Sequence, residues 1–126
     1  MASVLRNVNF DCADLFGLAG FWSQVTGNPV RSEDGPDETE VWVSMPEGPD
    51  LYFQLVAEPK TIKNRVHVCL EPLIPRDEEV ERLLGIGARM VTDMREPDGT
   101  GWAVLADPEG NEFCVLRSAA ERAITA

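Results

Sequence analysis

His67 is the only imidazole in the chain. A lone imidazole excludes, within one chain, every site built on two or three histidines, HExxH zinc hydrolysis included. His67 can act as a general base oriented by Gln54 or Glu112, or sit as a satisfied strand histidine. Three cysteines, Cys12, Cys69 and Cys114, form no C-x-x-C pair, and their odd number speaks against a disulfide framework or a zinc knuckle. Cys114 fits a small buried filler better than a nucleophile. Its one basic neighbour in sequence, Arg117, has the opposite strand parity, so little would lower the thiol pKa. Trp42, Trp102 and Tyr52 supply either core or the walls of a pocket for a flat molecule. Lys60, Lys63 and Arg65 either clamp an anionic group or solvate a linker.

The elements that must position these groups follow from periodicity. Val4 to Asp11 alternates as a strand, with Val8 and Phe10 on one face and Asn7, Asn9 and Asp11 on the other. From Asp11 to Gly27 the period turns helical: Leu15, Leu18, Trp22 and Val25 recur, Asp11 or Asp14 caps the start and Gly27 the end. Short strands follow around Val30, at 40–45 and at 51–56, the last two joined through Pro46-Glu47-Gly48-Pro49-Asp50. The acid-rich run from Glu33 to Glu38 reads as a solvated hairpin loop. A polar linker at 58–65 precedes a strand at 66–70 and a helix at 75–84, with a Glu78–Arg82 pair expected on its surface. Strands at 88–94, 101–106 and 112–117 complete the pattern, joined by Pro97-Asp98-Gly99 and by Asp107-Pro108-Glu109-Gly110-Asn111. Ser118 to Ala126 reads as a short terminal helix or a frayed tail.

A shift of 60 residues lays one half on the other: Val8 on Val68, Gly27 on Gly87, Trp42 on Trp102 and Phe53 on Phe113. The expected fold is therefore α+β, one domain over residues 1–126 made of two βαβββ modules, about 1–57 and 66–118, with a tail at 119–126. Each module would carry a four-stranded mixed sheet with its helix outside, the two cupped sheets enclosing a cleft. Asn7, Asn9, Tyr52, Gln54, His67, Cys69, Glu112, Cys114 and Leu116 have the parity of the face opposite the helix.

The balance of charge narrows the partners. With 22 acidic and 11 basic side chains the 126-residue chain carries −11, which repels nucleic acid and anionic membranes at long range. No apolar run is long enough to cross a bilayer. Unpaired cysteines and a start without a signal-peptide pattern fit a reducing cytoplasm.

The residues then resemble a known family. Phe21-Trp22-Ser23-Gln24-Val25-Thr26-Gly27 is similar to the F-Y-x-x-x-L-G segment, and Asp107-Pro108-Glu109-Gly110-Asn111-Glu112-Phe113 to the D-P-x-G-N-x-φ turn, of the vicinal oxygen chelate superfamily with its glyoxalase and bleomycin-resistance fold. Gly87-Ala88 resembles the Gly-Ala step that members place before the sixth strand. The resemblance implies a homodimer and, in metal-dependent members, ligands from the first and fourth strands of each module. Those positions fall here on Asn7, Gln54, His67 and Cys114, with Phe53 as the rival to Gln54 if the register slips. None of the four is a carboxylate, and hard cations want charged oxygen.

No metal or other cofactor is therefore expected, although a softer ion on His67 and Cys114 with help from Glu112 stays open. One reading is a binding module that takes a small, partly aromatic molecule through Asn7, Trp42, Tyr52, Gln54, His67, Trp102, Glu112 and Cys114. The other is a metal-dependent lyase, isomerase or dioxygenase acting on a small oxygenated substrate. A metal-free enzyme with His67 as its catalytic base lies between them.

Overall fold

A computed structural model describes residues 2–32 and 38–125. Glu33 to Asp37, most of the expected acidic hairpin loop, lie outside the described residues. The chain divides into two compact units, one ending at Pro59 and the other beginning at Lys60.

In the first unit, strand β1 (Asn7–Cys12) leads into helix α1 (Leu15–Thr26), then strands β2 (Val30–Arg31), β3 (Glu40–Val43) and β4 (Asp50–Leu55). The sheet order is β1-β4-β3-β2. β1 runs parallel to β4, and the other pairs are antiparallel. Helix α1 forms where the period predicts. Of the two candidate caps it uses Asp14, whose carboxylate accepts from Gly17 N at 3.1 Å. It ends at Gly27 with φ +74°, a left-handed turn that disfavours any side chain. Its buried face (Leu15, Leu18, Ala19, Phe21, Trp22, Val25) packs on β3 and β4. The core there is aromatic: Phe10 stacks on Phe53 at 5.2 Å and meets Trp22 at 5.3 Å, and Phe21 meets Trp22 edge-on at 5.6 Å. β1 starts at Asn7 rather than Val4, because Val4 and Leu5 find no cover and stay 85% and 71% exposed.

The second unit repeats the plan with β5 (Val68–Leu70), α2 (Arg76–Gly85), β6 (Arg89–Arg95), β7 (Gly101–Ala106) and β8 (Glu112–Val115), then adds α3 (Ala119–Thr125). Its sheet order is β5-β8-β7-β6, again with one parallel pair, β5 on β8. The terminal segment is a helix rather than a frayed tail, for a reason present in Ser118-Ala119-Ala120-Glu121. Glu121 N donates to Ser118 Oγ at 3.1 Å and Ser118 N donates back to Glu121 Oε1 at 2.9 Å, a capping box. The surface pair on α2 differs from expectation. Arg82 bonds Glu79, three residues back, at 2.6 Å and not Glu78.

Strand order repeats between the units; register does not. Phe53 faces Phe10 on the first strand of its sheet, whereas Phe113 faces Val68, so the 60-residue shift fails on that strand by two residues. Trp42 is level with Tyr52, yet Glu112, the residue 60 positions after Tyr52, is level with Ala106 and not with Trp102. The matched tryptophans are therefore not equivalent in structure. Both offsets are even, so every side chain keeps its face while changing its neighbours.

Candidate functional site

On each sheet the helix covers one face, and the alternate residues stand on the other. In the first unit that second face carries the row Asn9, Tyr52, Trp42, Arg31, with the row Asp11, Gln54, Glu40 beside it and Asn7 level with Asp50. Trp42 stacks on Tyr52 at 5.7 Å with ring planes 14° apart, and both are half-buried. This offset stack is a flat aromatic platform with an amide at one end and a guanidinium-bearing residue at the other. Asn7 Nδ2 donates to Asn9 Oδ1, so the two amides form one unit. Asn7 and Gln54, the first-unit ligand positions that the family resemblance implies, stand in different rows. Four residues of strand, about 13 Å, separate their levels.

The same face of the second unit is titratable. Its polar cluster is set by the turn between β7 and β8. The buried Asp107 carboxylate accepts from Glu109 N at 2.9 Å, Asn111 N at 3.0 Å and Asn111 Nδ2 at 2.9 Å, while Gly110 takes φ +90°. That geometry fixes where β8 begins and so places Glu112 and Cys114. Asn64 Oδ1 accepts from Glu112 N at 3.2 Å and carries the linker alongside.

Around the Glu112 carboxylate, Lys63 Nζ donates at 2.6 Å and His67 Nε2 lies at 3.7 Å. The bond from Lys63 holds the Glu112 carboxyl below the usual glutamate range, against the opposing pull of burial. His67 Nδ1 lies 3.9 Å from Cys114 Sγ. Burial first, and then the neighbouring Cys69 sulfur, push the Cys114 thiol up to about 11, so it is protonated at neutral pH. Lys63 is a partner of Glu112 and not a free anion clamp, and Lys60 Nζ bonds Ile62 O at 2.5 Å. Trp102, opposite Met94, is 41% exposed.

Residues 7–116 match the family model described as "Glyoxalase-like domain". The chain belongs to the glyoxalase-like domain family. Its fold is that of the vicinal oxygen chelate superfamily. No curated protein matches this glyoxalase-like chain by sequence. Among solved structures, a glyoxalase/bleomycin resistance protein/dioxygenase family enzyme from Burkholderia phytofirmans PsJN is 21% identical with TM-score 0.68, over 90% of this chain and 97% of that one. Fosfomycin resistance protein FosX from Mesorhizobium loti is 15% identical with TM-score 0.70 over 100% of both chains. A mutant of FosX from Listeria monocytogenes, complexed with Mn(II) and 1S,2S-dihydroxypropylphosphonic acid, is 17% identical with TM-score 0.72, over 97% of this chain and 95% of that one.

Within the second unit, the donors His67, Glu112 and Cys114 are not arranged to share such a metal. The two nitrogens of His67 face different partners, Nδ1 the thiol and Nε2 the carboxylate, so the three groups do not converge on one point. Glu112 is also bonded to Lys63. Among the described residues no group of three His, Cys, Asp or Glu is arranged to hold a metal ion. Among them, too, no helix is long and apolar enough to cross a membrane.

Sequence reasoning missed two structural supports of the site. Arg76 is buried and donates from Nη1 to Thr100 O at 2.8 Å and Gly101 O at 3.0 Å, tying α2 to the β6–β7 hairpin. Glu121 also accepts from Arg76 N at 2.7 Å, joining α3 to the start of α2. Nothing in periodicity marks Arg76, whereas the S-x-x-E capping pattern at Ser118 was there to be read.

Proposed function

We propose that this glyoxalase-like domain binds a small, partly aromatic molecule without the metal centre of its metal-dependent relatives. The observation that carries this reading is the Trp42–Tyr52 stack on the sheet face that α1 leaves uncovered. A half-buried pair of parallel rings offers apolar area and stacking to a planar ligand, and Asn9 at its edge offers an amide for orientation. The second sheet carries its own polar cluster, the His67–Glu112 pair and the Cys114 thiol. A thermal-shift screen of planar phenols, amides and aromatic acids tests it. Stabilisation with quenching of tryptophan fluorescence is expected, and Trp42→Ala removes both. If no compound class shifts the melting temperature or the fluorescence, the reading fails. Stoichiometric metal retained through purification without added metal would overturn its metal-free part.

One contact favours a second reading, metal-free catalysis with His67 as general base. Glu112 lies 3.7 Å from Nε2, where it can hold the ring's orientation. This predicts turnover of a bound compound that His67→Gln abolishes while leaving affinity within a few-fold.

A further inference from the structure

Cys69 and Cys114 stand opposite each other in register on the parallel strands β5 and β8. Residues in register on neighbouring strands point to the same face and have Cα atoms about 4.8 Å apart, the spacing of the strands themselves. A disulfide needs roughly 4.4–6.8 Å between Cα atoms, so the pair is within bonding reach on a fixed backbone. The Cys69 sulfur is near enough to Cys114 to help raise its thiol pKa. They differ in access: Cys69 is exposed and Cys114 is buried. Behind Cys114, the His67 ring presents Nδ1 at 3.9 Å from the sulfur, where a proton can be received.

We propose that Cys69 and Cys114 are a peroxide-oxidisable pair that closes into a disulfide across the β5–β8 seam. Cys69, the sulfur that solvent reaches, attacks hydrogen peroxide: an S–O bond forms, the O–O bond breaks, and Cys69 becomes a sulfenic acid as the peroxide is reduced to water. Cys114 then attacks the Cys69 sulfur. The S–S bond forms, the S–O bond breaks, and hydroxide leaves and takes up the Cys114 proton, by way of His67, as water. The overall change is two thiols and one peroxide to one disulfide and two waters. Burial keeps Cys114 from the first step, and in the second its proton passes to His67 as the sulfur attacks. Closure removes the Cys114 thiol from His67. The pair does not depend on the ligand proposed above, so either proposal can fail alone.

The test treats the folded protein with hydrogen peroxide, alkylates the remaining thiols and maps the peptides without reduction. The expected product is a Cys69–Cys114 linked peptide, with a mass loss of two hydrogens that dithiothreitol reverses. Cys12, buried in the first unit, stays a thiol and is the internal control. In Cys114→Ser the linked peptide disappears and Cys69 accumulates as a sulfenic acid trapped by dimedone. In Cys69→Ser, Cys114 remains unmodified. Circular dichroism confirms that each variant is folded, and Cys114→Ala repeats the measurement if the serine is not tolerated. Wild-type Cys69 advancing to sulfinic acid beside a free Cys114 would overturn the proposal. So would oxidation of Cys114 in Cys69→Ser, or inertness of both at peroxide doses that oxidise free glutathione.

Discussion

The two units share a strand order and differ in what holds them together. The first is cemented by rings: Phe21 and Trp22 of α1 and Phe10 and Phe53 of its sheet form one continuous set. The second has an aliphatic centre of Val80, Leu83, Leu105 and Val115 with Phe113, and ties its ends with the buried polar residues Arg76, Asp107 and Ser118. The uncovered faces differ accordingly, an aromatic stack with amides on one sheet and a Lys–Glu–His–Cys cluster on the other. Topology is robust to this divergence because any apolar set of correct parity buries the same face. Register is not, because each hairpin sets it locally.

Truncating a ring in the first unit should give the largest effect. Trp22→Ala removes a side chain that is 1% exposed and touches two other rings, and should cost about 3–5 kcal/mol in urea unfolding. A loss under about 1 kcal/mol would mean that the ring set does not carry the unit. In the second unit the equivalent weight falls on a turn. Asp107→Ala leaves the amides of Glu109 and Asn111 without their acceptor and should cost roughly 2–4 kcal/mol. Asp107→Asn keeps one acceptor oxygen and should cost less, and equal losses would contradict the hydrogen-bond account. Arg76→Met keeps the apolar stem but frees the carbonyls of Thr100 and Gly101, for about 1–3 kcal/mol. Hydrogen exchange should then rise first in the β6–β7 hairpin.

Much of this division was legible before any coordinates. The helix at Leu15–Thr26 and both hairpin turns follow from periodicity and turn chemistry, because each depends on residues close in sequence. What failed depends on how two strands pair. Trp42 and Trp102 match under the 60-residue shift, yet only Trp42 stands level with its unit's Tyr52 position, since the β7–β8 hairpin closes four residues out of step with the β3–β4 hairpin. Asn7 and Gln54 were placed on the correct face for the same reason that their separation was invisible: parity is a property of one strand, and register of two. The Lys63–Glu112 bond joins a linker to a strand 49 residues away, a distance that no local pattern spans.

That bond gives the smallest and most selective effect. Lys63 is 71% exposed and Glu112 only 11%, so the pair should contribute no more than about 1 kcal/mol, as exposed ion pairs do. Its signature is in titration. The folded Glu112 carboxyl sits below its unfolded value, so its contribution is present above the unfolded pKa and lost as pH falls through the folded one. Wild type should therefore melt slightly above Lys63→Met at neutral pH, and the difference should vanish once acid protonates Glu112. By NMR the Glu112 carboxyl should titrate at higher pH in Lys63→Met than in wild type, while Asp93, held down to about 2 chiefly by its Arg95 hydrogen bonds, should not move. An unmoved Glu112 would leave the cluster without its organising charge and make the second uncovered face as inert as a solvated loop.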